Sequence, residues 1–214
     1  MRAYMRDKFP FLGIPSTQRR ALQRQVLAGL PAPDPEDLRA VAEICWGWPE
    51  REFQYCACDL LIRRVRLLPA EFCDVVRQLL VTKSWWDTVD PLATRVVGGL
   101  VARHPTLVAV MDEWSQSENV WLVRAALLHQ LHYRDDTDVD RLFRYCAAQA
   151  SHPDFFVRKA IGWALRQYAK TDPEAVRRFV SDHRDRLSAL SVKEALRHQP
   201  AAAKGYARSG ENRE

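Results

Sequence analysis

Five windows of the chain can be laid over one another, and that superposition limits the fold more than any single motif does. The windows open at Phe53, Trp86, Trp121, Phe156 and Ser191, at spacings of 33, 35, 35 and 35 residues. Four residues on stand Ala57, Asp90, Ala125, Ala160 and Ala195; seven on stand Leu60, Ala93, Leu128, Trp163 and His198. Positions zero, four and seven share one face of a helix and do not share a face of a strand. A helical stripe that returns about every 35 residues is the mark of an α-solenoid, whose repeats bury their apolar faces on one another. The expected fold is therefore all-α, a solenoid of antiparallel helix pairs filling one domain over residues 1–199. Residues 200–214 lack the period and are expected to form a disordered tail.

Punctuation between the windows agrees. Residues 1–9 read as a short basic helix, and Phe11-Leu12-Gly13-Ile14-Pro15 as an apolar connector. Thr17 is placed to cap a helix running to about Leu30, and Asp34-Pro35 opens another to about Trp46. Further starts fall near Pro49, Pro69, Ser84, Pro105, Asn119, Asp136, Pro153, Asp172 and Ser191. With 47% hydrophobic residues, 28% charged residues and only eight glycines, the composition argues for a soluble globular chain and against a sheet protein. No apolar run reaches the ~18 residues of a membrane span. The five cysteines are an odd number lying in helical patterns, with no signal-peptide pattern at the start, which predicts reduced thiols and a cytoplasmic chain. Cys56-x-Cys58 has no second Cys or His pair at finger spacing, so no metal is expected. A net charge of +5 permits a nucleic-acid partner without requiring one.

One position breaks the stripe. Four windows put alanine at the small inward position and one puts Asp90 there, where an unpaired carboxylate would cost several kcal/mol. Two readings stand at this point. Asp90-Pro91 has the spelling of an N-cap with a first-turn proline, and Ser84-x-x-Asp87 that of a capping box. Alternatively Asp90 presents a carboxylate to a cleft, with Trp86 on the same helical face. The basic residues near the stripe, Lys83, Arg124, Arg158, Lys159 and Lys193, form either a row suited to a phosphate backbone or a solvated charged face. Arg124 is the best of them, three residues after Trp121. Of the seven tryptophans, Trp46, Trp48, Trp85, Trp114 and Trp121 read as packing residues, whereas Trp86 and Trp163 fall on the stripe and suit either packing or function.

Three blocks, Trp85-Trp86-Asp87-Thr88-Val89-Asp90, Asn119-Val120-Trp121-Leu122-Val123-Arg124-Ala125-Ala126 and Lys159-Ala160-Ile161-Gly162-Trp163-Ala164-Leu165-Arg166, resemble the AlkD family of DNA alkylation-repair glycosylases. So do residues 9–14 and Glu50-Arg51-Glu52-Phe53-Gln54, and the resemblance covers about residues 3–198. It implies a HEAT-like α-solenoid that excises N3- and N7-alkylated purines from duplex DNA without drawing the base into a pocket and without a cofactor. It implies Asp90 as the catalytic carboxylate, Trp86 and Trp163 as the sugar-contacting indoles, and Arg124 as the phosphate-facing cation. The sequence departs from the family in having Pro91 after the aspartate and in lacking, before Met1, the further helix usual there. A monomer acting on alkylated duplex DNA is expected. The rival expectation is a non-catalytic HEAT-like scaffold holding duplex DNA or an acidic partner on a basic concave face.

Overall fold

A computed structural model describes residues 1–197. After a single 3-10 turn at Ala3–Met5 the chain runs through α1 (Ser16–Ala28), α2 (Pro35–Gly47), α3 (Arg51–Arg64), α4 (Phe72–Val81) and α5 (Trp86–Pro91). A π-helical segment, Leu92–Val97, carries α5 into α6 (Gly98–Arg103). Then come α7 (Val108–Trp114), α8 (Val120–Leu128), α9 (Val139–Ala148), α10 (Phe155–Tyr168), α11 (Pro173–Asp182) and α12 (Ala189–Ala195). The described residues contain no strand, so the fold is all-α as expected. The tail from residue 200 lies outside the described residues.

Half of the twelve helix starts described are written locally. Asp34, Asn119, Asp138, Asp154, Asp172 and Ser188 each accept a hydrogen bond from a backbone N–H in the first turn that follows, and Asp34 and Asp37 close a reciprocal capping box. Four expectations are corrected. Residues 1–9 form only one 3-10 turn, because Arg6 and Asp7 take left-handed backbone angles and Pro10 follows. Helix α1 begins at Ser16 behind an extended Pro15, with no side-chain cap from Thr17. The Ser84/Asp87 box does not form: Trp85 holds the N-cap position, Ser84 Oγ donates to the Leu80 carbonyl, and the Asp87 carboxylate is engaged elsewhere. Asp90-Pro91 does not open a helix either. Proline removes one hydrogen bond at the end of α5, the chain widens into the π segment, and residues 86–103 stay helical throughout.

The five windows all open on the second helix of a pair, the last position of the fifth, His198, lying outside the described residues. These helices, α3, α5–α6, α8, α10 and α12, stack in order, and the first helices α2, α4, α7, α9 and α11 pack along them. Ala57, Ala125, Ala160 and Ala195 are at most 1% exposed, so the stripe is the seam between stacked repeats. Small residues there let backbones approach. A Cβ on Gly98 would lie 2.3 Å from the His129 carbonyl oxygen, and one on Gly162 would lie 2.5 Å from Glu194 Cβ. Trp46, Trp85 and Trp114 are buried as expected, while Trp48 is 53% exposed and leans on Phe53.

His129, at the Gly98 crossing, is fully buried, and its Nδ1 donates to the Ala126 carbonyl at 2.7 Å. Burial pushes its pKa down from 6.5 to about 4. The unfolded chain therefore takes up this proton at a higher pH than the folded one. The stability it contributes is complete above pH 6.5 and is lost as the pH falls toward 4, by roughly 3 kcal/mol in all. Urea denaturation at pH 7 and pH 4.5 should show the midpoint falling, and His129→Gln should flatten that fall.

Candidate active site

Helix α5 lies in the stack between α3 and α8, and each neighbour sends a buried arginine to it. From α8, Arg124 Nε donates to Asp90 Oδ1 at 2.7 Å and Arg124 Nη2 to Asp90 Oδ2 at 2.9 Å, a bidentate fork. The third arm of the guanidinium reaches the Phe156 carbonyl at 2.6 Å. This fork is what allows an acid in an alanine register, since each partner supplies the charge the other would otherwise lack. Burial pushes the Asp90 carboxyl above its ordinary range, and Arg124 pulls against that. The acidic side chain is paired but not fully buried, keeping 14% exposure against 4% for Arg124. Two hydrogen bonds also leave part of its acceptor capacity unused.

Arg124 also lies 6.0 Å from the ring centres of Trp163 and Phe156, at the limit of cation–π range. It thus joins two predicted site residues, Asp90 and Trp163. Its aromatic neighbours are these and not Trp121, which instead packs with Trp85 and Phe156. Trp86 stands one turn before Asp90 on α5, half-buried, with the Tyr4 ring edge-on at 5.9 Å. Lys8 Nζ lies 4.6 Å above Trp85. The N-terminal segment that brings these groups in is itself tied down: Glu52 accepts the backbone N–H groups of Leu12, Gly13 and Ile14, and Arg51 N–H donates to the Pro10 carbonyl.

The expected basic row separates into different jobs. Arg124 is 3% exposed and donates to Asp90 and to the Phe156 carbonyl, so in this structure it is the buried partner of the acid. Lys83 donates to the carbonyls of Trp46, Gly47 and Trp48, satisfying the end of α2. Lys159 pairs with Glu194 at 2.8 Å, and Arg166 shares that carboxylate. Lys193 is exposed, and Arg158 is half-buried with an Nε that has no hydrogen-bond partner. Of the five, these last two are the cations left outside such pairings.

Sequence reasoning missed the arginine on the other side of α5. Arg51, fully buried on α3, forks onto Asp87, with Tyr55 Oη donating to the same carboxylate at 2.6 Å. Its signal in the sequence was an Arg-Glu pair two residues ahead of the Phe53 window, where an apolar residue would suit a buried helix start better. Beyond this pair, a cleft between α1, α3 and the π segment is lined by Arg20, Tyr55, Asp59, Asp87, Thr94 and Arg95. Another, between the ends of α8 and α10, holds Gln130, Arg134, Tyr168 and Lys170 and shares no residue with the surroundings of Asp90. The described residues contain no group of three or more His, Cys, Asp or Glu side chains placed to hold a metal ion, and no helix among them is long and apolar enough to cross a membrane.

A family model described as DNA alkylation repair enzyme matches residues 1–199. Among solved structures, the chain is similar to a predicted DNA alkylation repair enzyme from Enterococcus faecalis, with 34% identity, a TM-score of 0.85 and 94% of each chain covered. It shares its fold with AlkD2 from Streptococcus mutans, at 17% identity and a TM-score of 0.67 over 92% of this chain and 96% of that one. The protein smu.31 from Streptococcus mutans UA159 has the same fold, at 18% identity and a TM-score of 0.66 over 84% and 92%. No curated protein matches the chain.

Proposed function

From the premise that the chain belongs to the DNA alkylation repair enzyme family, we propose that it is a DNA glycosylase hydrolysing the N-glycosidic bond of positively charged N3- and N7-alkylated purines in duplex DNA. The observation that carries this reading is Asp90, an acid in an alanine register, held by a fork from Arg124 with its side chain still partly exposed, on the same helix as Trp86.

Such a purine already carries a positive charge, so it departs with the bonding electron pair as a neutral base and needs no general acid. The sugar becomes an oxocarbenium cation as the bond stretches, and that charge is what the site must stabilise. A carboxylate about 4 Å away at an effective dielectric near 20 contributes ~4 kcal/mol, roughly a thousandfold in rate. Arg124, sharing the carboxylate, takes back part of that and makes a thousandfold the ceiling. Water then bonds to the sugar carbon and gives up its proton, with Asp90 positioned to accept or orient it. The indole faces of Trp86 and Trp163 attract a developing cation by about 0.5 to 2 kcal/mol each. Arg158 and Lys193, on α10 and α12, supply phosphate contacts, which hold the duplex in register. No cofactor enters the scheme, and the base stays outside any protein pocket.

The scaffold reading would gain if the Asp90–Arg124 pair buried the acidic side chain entirely, and that side chain keeps 14% exposure. Incubation with duplex DNA carrying 7-methylguanine or 3-methyladenine should release free base and leave abasic sites, while a duplex carrying a neutral lesion such as uracil should release little. Tight binding of methylated duplex with no base released would leave the scaffold in its place.

A further inference from the structure

The first turn of α5 is gripped from α3 as firmly as Asp90 is gripped from α8, and the reaction scheme makes no use of that grip. Arg51 is 0% exposed. Its Nε and Nη2 donate to Asp87 at 3.0 and 2.6 Å, its Nη1 to the Lys83 carbonyl at 2.8 Å, and its Nη2 also to Thr88 Oγ1 at 2.9 Å. The Phe9 ring lies 3.9 Å from the guanidinium carbon on one side. Every one of these bonds ends on residues 83–88, the stretch that enters α5. A lone ion pair would fix a distance; four hydrogen bonds to acceptors on three residues fix a rotation as well.

We propose that the Arg51–Asp87 pair is a positioning device for the reaction at Asp90. It sets the rotation of α5 so that Trp86 and Asp90 present together, and it cancels a second carboxylate lying three residues away on the same helix. The proposal rests on the reading of Asp90 as the reacting carboxylate. Two charges act on Asp90, Arg124 from α8 and Asp87 from α5 itself, and they pull in opposite directions. From α3, Arg51 and Tyr55 are both committed to Asp87, and the π segment contributes Arg95, which is exposed. Asp87 therefore opposes the ionisation of Asp90 as far as Arg51 leaves its charge uncancelled.

The test is single-turnover release of 7-methylguanine from duplex DNA across pH, with duplex affinity and thermal melting measured on the same samples, for the native chain and for R51K, D87N and Asp90→Asn. Lysine keeps the charge and loses the fork, so R51K should slow release at least tenfold while leaving affinity and the acid limb of the profile unchanged. Asparagine at 87 still accepts from Arg51 and Tyr55 but removes the negative charge, so the acid limb should move to lower pH. A purely structural pair would change rate and melting and leave that limb where it was. Native-like release by R51K, or a D87N profile superimposable on the native one, overturns the inference while the reading at Asp90 stands. No release by the native chain overturns both.

Discussion

Asp90→Asn should fold, bind duplex DNA within a few-fold of the native chain, and release alkylpurine about a hundred to a thousand times more slowly. The upper figure is the ~4 kcal/mol that a carboxylate gives an adjacent oxocarbenium ion at intermediate dielectric, and the lower allows for what Arg124 takes back. Folding should survive because the amide oxygen can still accept one arm of the fork and Arg124 keeps its bond to the Phe156 carbonyl. Some stability is lost, since a buried guanidinium then lacks its counter-charge. Circular dichroism, duplex affinity and single-turnover release measured together separate the outcomes. Native-like release by this variant would remove Asp90 from the mechanism.

The second large effect concerns the partner. Arg124→Met should destabilise the chain by about 3 to 5 kcal/mol, the usual cost of leaving one member of a buried pair without the other. Combining it with Asp90→Asn should recover a good part of that loss, because the uncompensated charge is then gone. Urea midpoints for the two singles and the double give the coupling. Release should fall with Arg124→Met as well, since the bare carboxylate in an apolar seam favours its protonated form. The salt dependence of duplex binding should stay as it is in the native chain. Were this buried arginine on a phosphate, the log–log slope would drop by about one.

Much of the architecture could be read from the chain because stacking demands it. The alanine register is imposed by helices that must approach closely, so it recurs wherever a second helix meets its neighbour, and the Asx and Ser caps follow from unpaired N–H groups at each helix start. Asp90 was visible for the same reason, as a departure from a repeated rule. What surrounds it was not. The pairs Asp90–Arg124 and Asp87–Arg51 join residues 34 and 36 apart on different helices, and a period marks equivalent positions without marking which side chains meet across the seam. Asp90-Pro91 misled because the local preference against helix before proline was overridden: the π segment absorbed the missing hydrogen bond. Lys83 misled because its charge neutralises the end of a helix in the preceding pair, which no feature of its own neighbourhood announces.

Gly98 gives the arrangement a mechanical character. Its backbone lies against the His129 carbonyl with no room for a methyl group, Tyr133 Oη donates to the Gly98 carbonyl at 2.7 Å, and one helix-length away the Arg124 fork holds Asp90. Two segments riveted at both ends cannot hinge about either rivet. On the function proposed above, the part of the molecule that carries the acid would act as a stiff template, and accommodation on contact would fall to the duplex, at a cost in stacking and bending.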